Sequence, residues 1–135
     1  MSQTADDRPS PENHWGMRLL SWLAKLALYL PWIWLVLFAL FVLAATAQGG
    51  HLPAYGSPDP KDVGFGGFLY YPIIVLLLIV MATIPIGVGL AAVKLLRDMP
   101  AYLSRREALA YLLGIGLVLL VSISDFAGLM TWLGD

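Results

Sequence analysis

Polar residues that could carry chemistry are few in this 135-residue chain, and they centre on one acid. Asp125 interrupts an otherwise apolar run from Ala108 to Gly134. A carboxylate inside a membrane span is costly to ionise, so such an acid is a candidate for binding a proton or a cation. The residues that could support it are Ser122, one turn earlier, and His51, Lys61 and Tyr71 from other segments.

A structural role for Asp125 is the alternative. At about 1.5 Å per residue, Asp125 stands about 25 Å along a helix that begins near Ala108, close to the far membrane interface. At about 100° per residue it returns to within about 20° of the face of Gly114, so we expect it to point into the helix packing. Water or a loop could satisfy the acid at this depth, and the sequence leaves both roles open.

Other chemistries find little support in the sequence. It contains no H-E-x-x-H, G-x-S-x-G or Walker motif. The two histidines, His14 and His51, lie outside the apolar runs and cannot sandwich a haem between helices. Absence of cysteine excludes thiolate metal sites, and a net charge of −1 gives no reason to expect nucleic-acid binding. We therefore predict neither an enzyme nor a cofactor or metal site.

Composition indicates a membrane protein. Apolar residues make up 59% of the chain and charged residues 13%, whereas soluble domains are nearer half and a quarter. Three apolar runs reach the roughly 20 residues that a membrane-spanning helix needs. The predicted fold is all-α, with spans at about 24–47, 68–93 and 108–133 in a membrane domain covering 17–135, after a disordered tail over 1–16.

The sequence disfavours two alternatives to three spans. Buried helices of a soluble protein are disfavoured because so short a chain cannot cover three helices that are apolar all round. A cleaved signal peptide is indicated by the small residues Ala45, Thr46 and Ala47, but the preceding apolar run exceeds the 7 to 15 residues of such a segment.

The distribution of basic residues predicts the orientation. Lys and Arg concentrate in short cytoplasmic loops of membrane proteins. All but one of the eight basic residues lie before or at the start of the first span, or between the second and third, so the N-terminus should be cytoplasmic and the C-terminus outside. These are Arg8, Arg18, Lys25, Lys94, Arg97, Arg105 and Arg106, and the exception is Lys61.

Small residues four apart predict where the second and third helices pack. Such pairs let membrane helices approach closely. Gly87 and Ala91 form one pair, Ala110 and Gly114 the other, and both lie towards the basic loop. We therefore predict a tight antiparallel hairpin of helices two and three. A capping box, Ser104 with Glu107, predicts the start of the third helix.

The loop after the first span carries the residues G-H-L-P-A-Y-G-S-P-D-P-K-D, from Gly50 to Asp62. This stretch resembles a loop found in uncharacterised small bacterial multi-pass membrane proteins. The resemblance covers about 15 residues. It implies a location in the bacterial inner membrane and no particular activity.

The functional prediction is an accessory or structural subunit of a larger membrane complex, or a small homo-oligomer, with the lipid bilayer and other membrane subunits as partners. The alternative is a small oligomeric transporter or channel in which Asp125 lines the pathway, because three helices alone cannot enclose one. A third hypothesis, binding of anionic lipid by the basic residues, competes with their simpler role as topology determinants.

Overall fold

The computed structural model describes residues 12–53, 58–64, 67–99, 101–125 and 128–134. Within these ranges the secondary structure is helical, without a strand. The elements are α1 (Glu12–Gly49), α2 (Gly67–Arg97), α3 (Arg105–Ser124) and the short α4 (Leu129–Leu133).

Three of the helices are long and apolar enough to cross a membrane: Ser21–Gly49, Phe68–Arg97 and Arg105–Ser124. This confirms the predicted all-α architecture with three candidate spans. The helices differ in length, from 38 residues in α1 to 20 in α3. At about 1.5 Å per residue, α1 is about 57 Å long and α3 about 30 Å.

The first helix begins earlier than the sequence predicted. Glu12–Gly16 is helical, although it belongs to the predicted disordered tail, and residues 1–11 of that tail lie outside the described residues. Extending an existing helix adds one hydrogen bond for each residue ordered and needs no new nucleus. The apolar span thus supplies the nucleus for polar residues that would not start a helix themselves.

The third helix ends at Ser124, well short of the predicted Leu133. Asp125 adopts a left-handed conformation with φ 41° at the C-terminal end of α3, and Gly128 has φ 71° just before α4. A left-handed residue is a common helix terminator. Because Phe126 and Leu129 continue the apolar pattern, composition alone could not predict this break.

The start of α3 follows the predicted capping box. Glu107 N donates to Ser104 Oγ at 3.1 Å, and Ser104 N donates to Glu107 Oε2 at 2.7 Å. Lys25 Nζ of α1 lies 3.7 Å from the other carboxylate oxygen, Glu107 Oε1. The cap therefore also joins α3 to α1.

An ion cluster closes the connection from α2 to α3. Asp98 Oδ1 lies 3.2 Å from Lys94 Nζ and 3.5 Å from Arg105 Nε, while its backbone is left-handed with φ 55°. The hydrogen bond and charge of Lys94, followed by the charge of Arg105, hold the pKa of the Asp98 carboxyl below its usual range. We call this end of the molecule, with Lys25, Lys94, Arg97 and Arg105, the basic end.

Each of the three long helices contacts the other two. Two tryptophans of α1 donate hydrogen bonds to backbone carbonyls of its neighbours: Trp32 Nε1 to Ala110 O of α3 at 3.0 Å, and Trp34 Nε1 to Ile73 O of α2 at 3.1 Å. Trp34 is fully buried and stacks on Phe38. One helix is thereby bonded to both of the others.

The predicted small residues are buried or partly buried; Gly87 faces α3, whereas Ala110 and Gly114 face α1 and not α2. A Cβ at Gly114 would lie 2.9 Å from Trp32 Nε1, so Gly114 makes room for α1, and the carbonyl of Ala110 accepts the Trp32 bond. A Cβ at Gly87 would overlap the phenol of Tyr111 on α3. Ala91 is fully buried. The spacing identified the close-packed positions without specifying which helix fills each one.

We expect Gly114→Ala to destabilise the bundle by about 1 to 3 kcal/mol, because the new methyl group displaces Trp32 and strains its hydrogen bond to Ala110. Gly116→Ala is the matched control on the same helix, since nothing lies within 4 Å of a Cβ there. Unfolding in mixed micelles, followed as the denaturing detergent fraction rises, measures both variants. Equal stability of the two variants would contradict this account of α1–α3 packing.

Candidate functional site

The carboxylate of Asp125 caps the short helix that follows it. Its Oδ1 accepts hydrogen bonds from Met130 N at 2.7 Å and Thr131 N at 3.0 Å, and its Oδ2 accepts from the hydroxyl of Thr131. The carbonyl of Asp125 accepts from Gly128 N at 2.7 Å. One aspartate therefore ends α3 through its backbone and caps α4 through its side chain.

This geometry stabilises the ionised acid. Hydrogen bonds from the Thr131 side chain, then from the Thr131 and Met130 amides, lower the pKa of the Asp125 carboxyl from its ordinary value, against a smaller opposing effect of burial. The expectation that Asp125 points into the helix packing is wrong, because α3 ends before it and the carboxylate turns to α4 instead. Its surroundings match an ionised structural cap.

The hydrogen bonds described for the Asp125 carboxylate come from Met130 and Thr131 and not from the predicted supporting residues. Ser122 Oγ is buried and has no hydrogen-bond partner in the described part of the chain. His51 Nδ1 lies 2.9 Å from Leu52 O, and Lys61 Nζ lies 5.8 Å from the centroid of the Tyr70 ring. Tyr71 is exposed and packs edge-on against Tyr70.

The C-terminal helix is bound to the first loop by a tryptophan that the sequence analysis did not identify. Trp132 is fully buried, stacks on Phe41 of α1 at 5.3 Å between ring centroids, and donates from Nε1 to Pro58 O at 2.6 Å. Trp132 lies far from Pro58 in sequence, and no local pattern indicated this contact. We call this contact set the C-terminal clasp.

The loop that receives the clasp is ordered by short-range turn chemistry. Asp59 Oδ1 accepts from Lys61 N at 2.8 Å, and Asp62 N donates to Asp59 O at 3.0 Å, as expected for an acid before a proline turn. Gln48 Nε2 donates to Asp62 O at 3.3 Å, and Val63 is buried. Residues 54–57 of the resembling loop lie outside the described residues.

The described part of the clasp is held by ring stacking and a hydrogen bond. Among the residues that the structure describes, no group of three or more His, Cys, Asp or Glu could hold a metal ion. Comparisons with family models, curated proteins and solved structures gave no match to this chain. Inference about function therefore depends on the geometry of the chain itself.

We expect Asp125→Ala to release α4, because the amides of Met130 and Thr131 lose their acceptor. Hydrogen exchange at these two amides should accelerate in micelles or nanodiscs. Ser124→Ala is the control, since that hydroxyl bonds only to Leu120 O within its own helix. Asp125→Asn, which retains one acceptor oxygen, should fall between the two.

The same amides should report the ionisation of Asp125. Because its folded pKa is lowered, its contribution is present above the unfolded value of about 4 and is lost as the pH falls through the lower folded pKa. Protection relative to intrinsic exchange should therefore hold at neutral pH and decrease only in strong acid. Loss of protection between pH 7 and 5 would contradict capping by an ionised carboxylate.

Proposed function

We propose that this chain is an accessory or structural subunit of a larger membrane complex, without catalytic activity of its own. The supporting observation is the N-terminal part of α1, whose large apolar side chains are exposed. Lys25 pairs with Glu107 at the start of α3. From Lys25, α1 continues for about 20 Å to its first residue, Glu12.

The N-terminal part of α1 exposes large apolar residues where a partner could bury them. Trp15, Leu19 and Trp22 are 77%, 63% and 75% exposed, and their spacing of four and three places them on one helical face. Tryptophan is the residue type most enriched at energetically dominant interface positions. A helix of another subunit packed along this face would bury these apolar side chains, which are costly to leave in water.

Transport through Asp125 is less well supported. The carboxylate is occupied by three hydrogen bonds from its own C-terminal segment, so the acid that would line a pathway already serves the fold. A proton site would also require a carboxyl that is easily protonated, whereas its surroundings favour the ionised form. The accessory role needs no chemistry from Asp125.

We further propose that α2 and α3 form an antiparallel hairpin and that the basic end faces the cytoplasm of a bacterium, with the C-terminal clasp on the outer side of the inner membrane. The positive-inside bias supports this orientation, and the structure gathers Lys25, Lys94, Arg97 and Arg105 at one end. The resemblance of the first loop supports the location.

The orientation can be tested with single cysteines, because the chain has none. Leu52→Cys lies at the clasp end and Ala101→Cys at the basic end, and both positions are exposed. A membrane-impermeant maleimide should label position 52 in intact spheroplasts and position 101 only after permeabilisation. The opposite labelling pattern would reverse the proposed topology.

The accessory role predicts defined foreign chains in the native complex. Tagged protein, purified from its own membrane in a mild detergent, should carry other subunits at a fixed stoichiometry by native mass spectrometry. Replacing Trp15 and Leu19 together by serine should reduce their recovery at least tenfold, whereas Ser21→Ala, about 120° round the helix from Trp15, should reduce it much less. Purification as a single chain or a pure homo-oligomer would refute the proposal.

A further inference from the structure

The short helix α4 is attached to the rest of the described structure from several sides. Two of its amides donate to the carboxylate of Asp125 at the end of α3. The Trp132 ring stacks on Phe41 of α1, and its indole N–H donates to Pro58 O of the first loop. A helix of five residues is too short to be stable by itself, so α4 depends on these contacts together.

The first loop depends on α4 in turn. Between residues 58 and 64 the described backbone amides donate to oxygens only two or three positions earlier, and such isolated turns open easily. Two described hydrogen bonds tie this stretch to the helices: Gln48 Nε2 to Asp62 O at 3.3 Å, and Trp132 Nε1 to Pro58 O at 2.6 Å. The bond from Trp132 is shorter and less exposed. Helix α4 therefore supplies the stronger of the two hydrogen bonds that anchor the loop.

Release of Trp132 has a favourable destination in a membrane protein. Helix α4 follows the end of α3 that is farthest from the basic end, near the far membrane interface. Four of its five residues are apolar. Tryptophan is enriched at membrane–water interfaces, where the ring is shielded from water and the N–H meets polar groups. Trp132 can therefore exchange Phe41 and Pro58 for lipid, at a smaller cost than exposure to water.

We propose that α4 and residues 58–64 form a strap, a single conformational unit that opens and closes over this end of the bundle. In the closed state the strap covers Phe41 and holds the loop in place. In the open state Trp132 lies at the membrane interface, Phe41 is uncovered and the loop is released. The long helices stay packed in both states, because Trp32 and Trp34 bond them together away from α4. The strap is independent of the proposed partner subunit.

Hydrogen exchange of the full chain in lipid nanodiscs tests whether the two parts open together. Trp132→Phe retains a ring against Phe41 but loses the hydrogen bond to the loop. Exchange should therefore accelerate about fivefold at the loop amides as well as at the two α4 amides. These amides belong to Lys61, Asp62 and Gly64, and to Met130 and Thr131. Ser124→Ala is the control and should leave both sets unchanged, because the Ser124 hydroxyl bonds to Leu120 O within α3.

The coupling is tested in the reverse direction with Asp59→Ala, which removes the acceptor of the Lys61 amide. For a single unit, exchange at the two α4 amides should accelerate by the same factor as exchange at Asp62 and Gly64, while amides in the middle of α3 stay protected. Acceleration confined to one part of the strap in either variant, or unchanged loop amides in Trp132→Phe, would overturn the proposal. An equal loss of protection in the middle of α3 would also overturn it, because the long helices would then not stay packed.

Discussion

Two indole N–H groups on one helix hold the bundle together. In a bilayer, apolar side chains gain little by leaving lipid for protein, so helices associate through close packing and interhelical hydrogen bonds. Trp32 and Trp34 are two residues apart and therefore face in different directions, one towards α3 and the other towards α2. Gly114 belongs to the same arrangement, because any side chain there would displace Trp32.

Polar side chains in the rest of the described structure mostly serve helix ends. Ser104 and Glu107 cap the start of α3, Lys94 and Arg105 hold Asp98 in the connection before it, and Asp125 caps α4. The hydroxyls of Tyr111 and Ser122 are buried and have no hydrogen-bond partner among the described residues. The phenol of Tyr111 packs over Gly87 of α2, so its burial follows from the close approach of α2 and α3.

Features that depend on residues close together in sequence were predictable. The three spans follow from long apolar runs, and the capping box follows from Ser104 and Glu107 at their characteristic spacing. The role of Asp125 was not predictable, because the left-handed break before α4 is hidden in an apolar run. The clasp joins Trp132 to Pro58 and Phe41, which lie far away in the chain, and no local pattern carries such a contact. The small residues do lie in the helix packing, but the spacing could not show that Ala110 and Gly114 face α1 while Gly87 faces α3.

The early end of α3 limits how the bundle can sit in a bilayer. Its 20 residues span about 30 Å, which equals the thickness of a typical hydrocarbon core, so this helix has no surplus length for tilting. The longer α1 and α2 can lean over a wide range of angles, but their contacts with α3 bind them to its direction. Hydrophobic matching by the shortest helix would therefore make the protein sensitive to membrane thickness. A bilayer thicker than α3 must thin locally around it, whereas the whole bundle can tilt to fit a thinner bilayer.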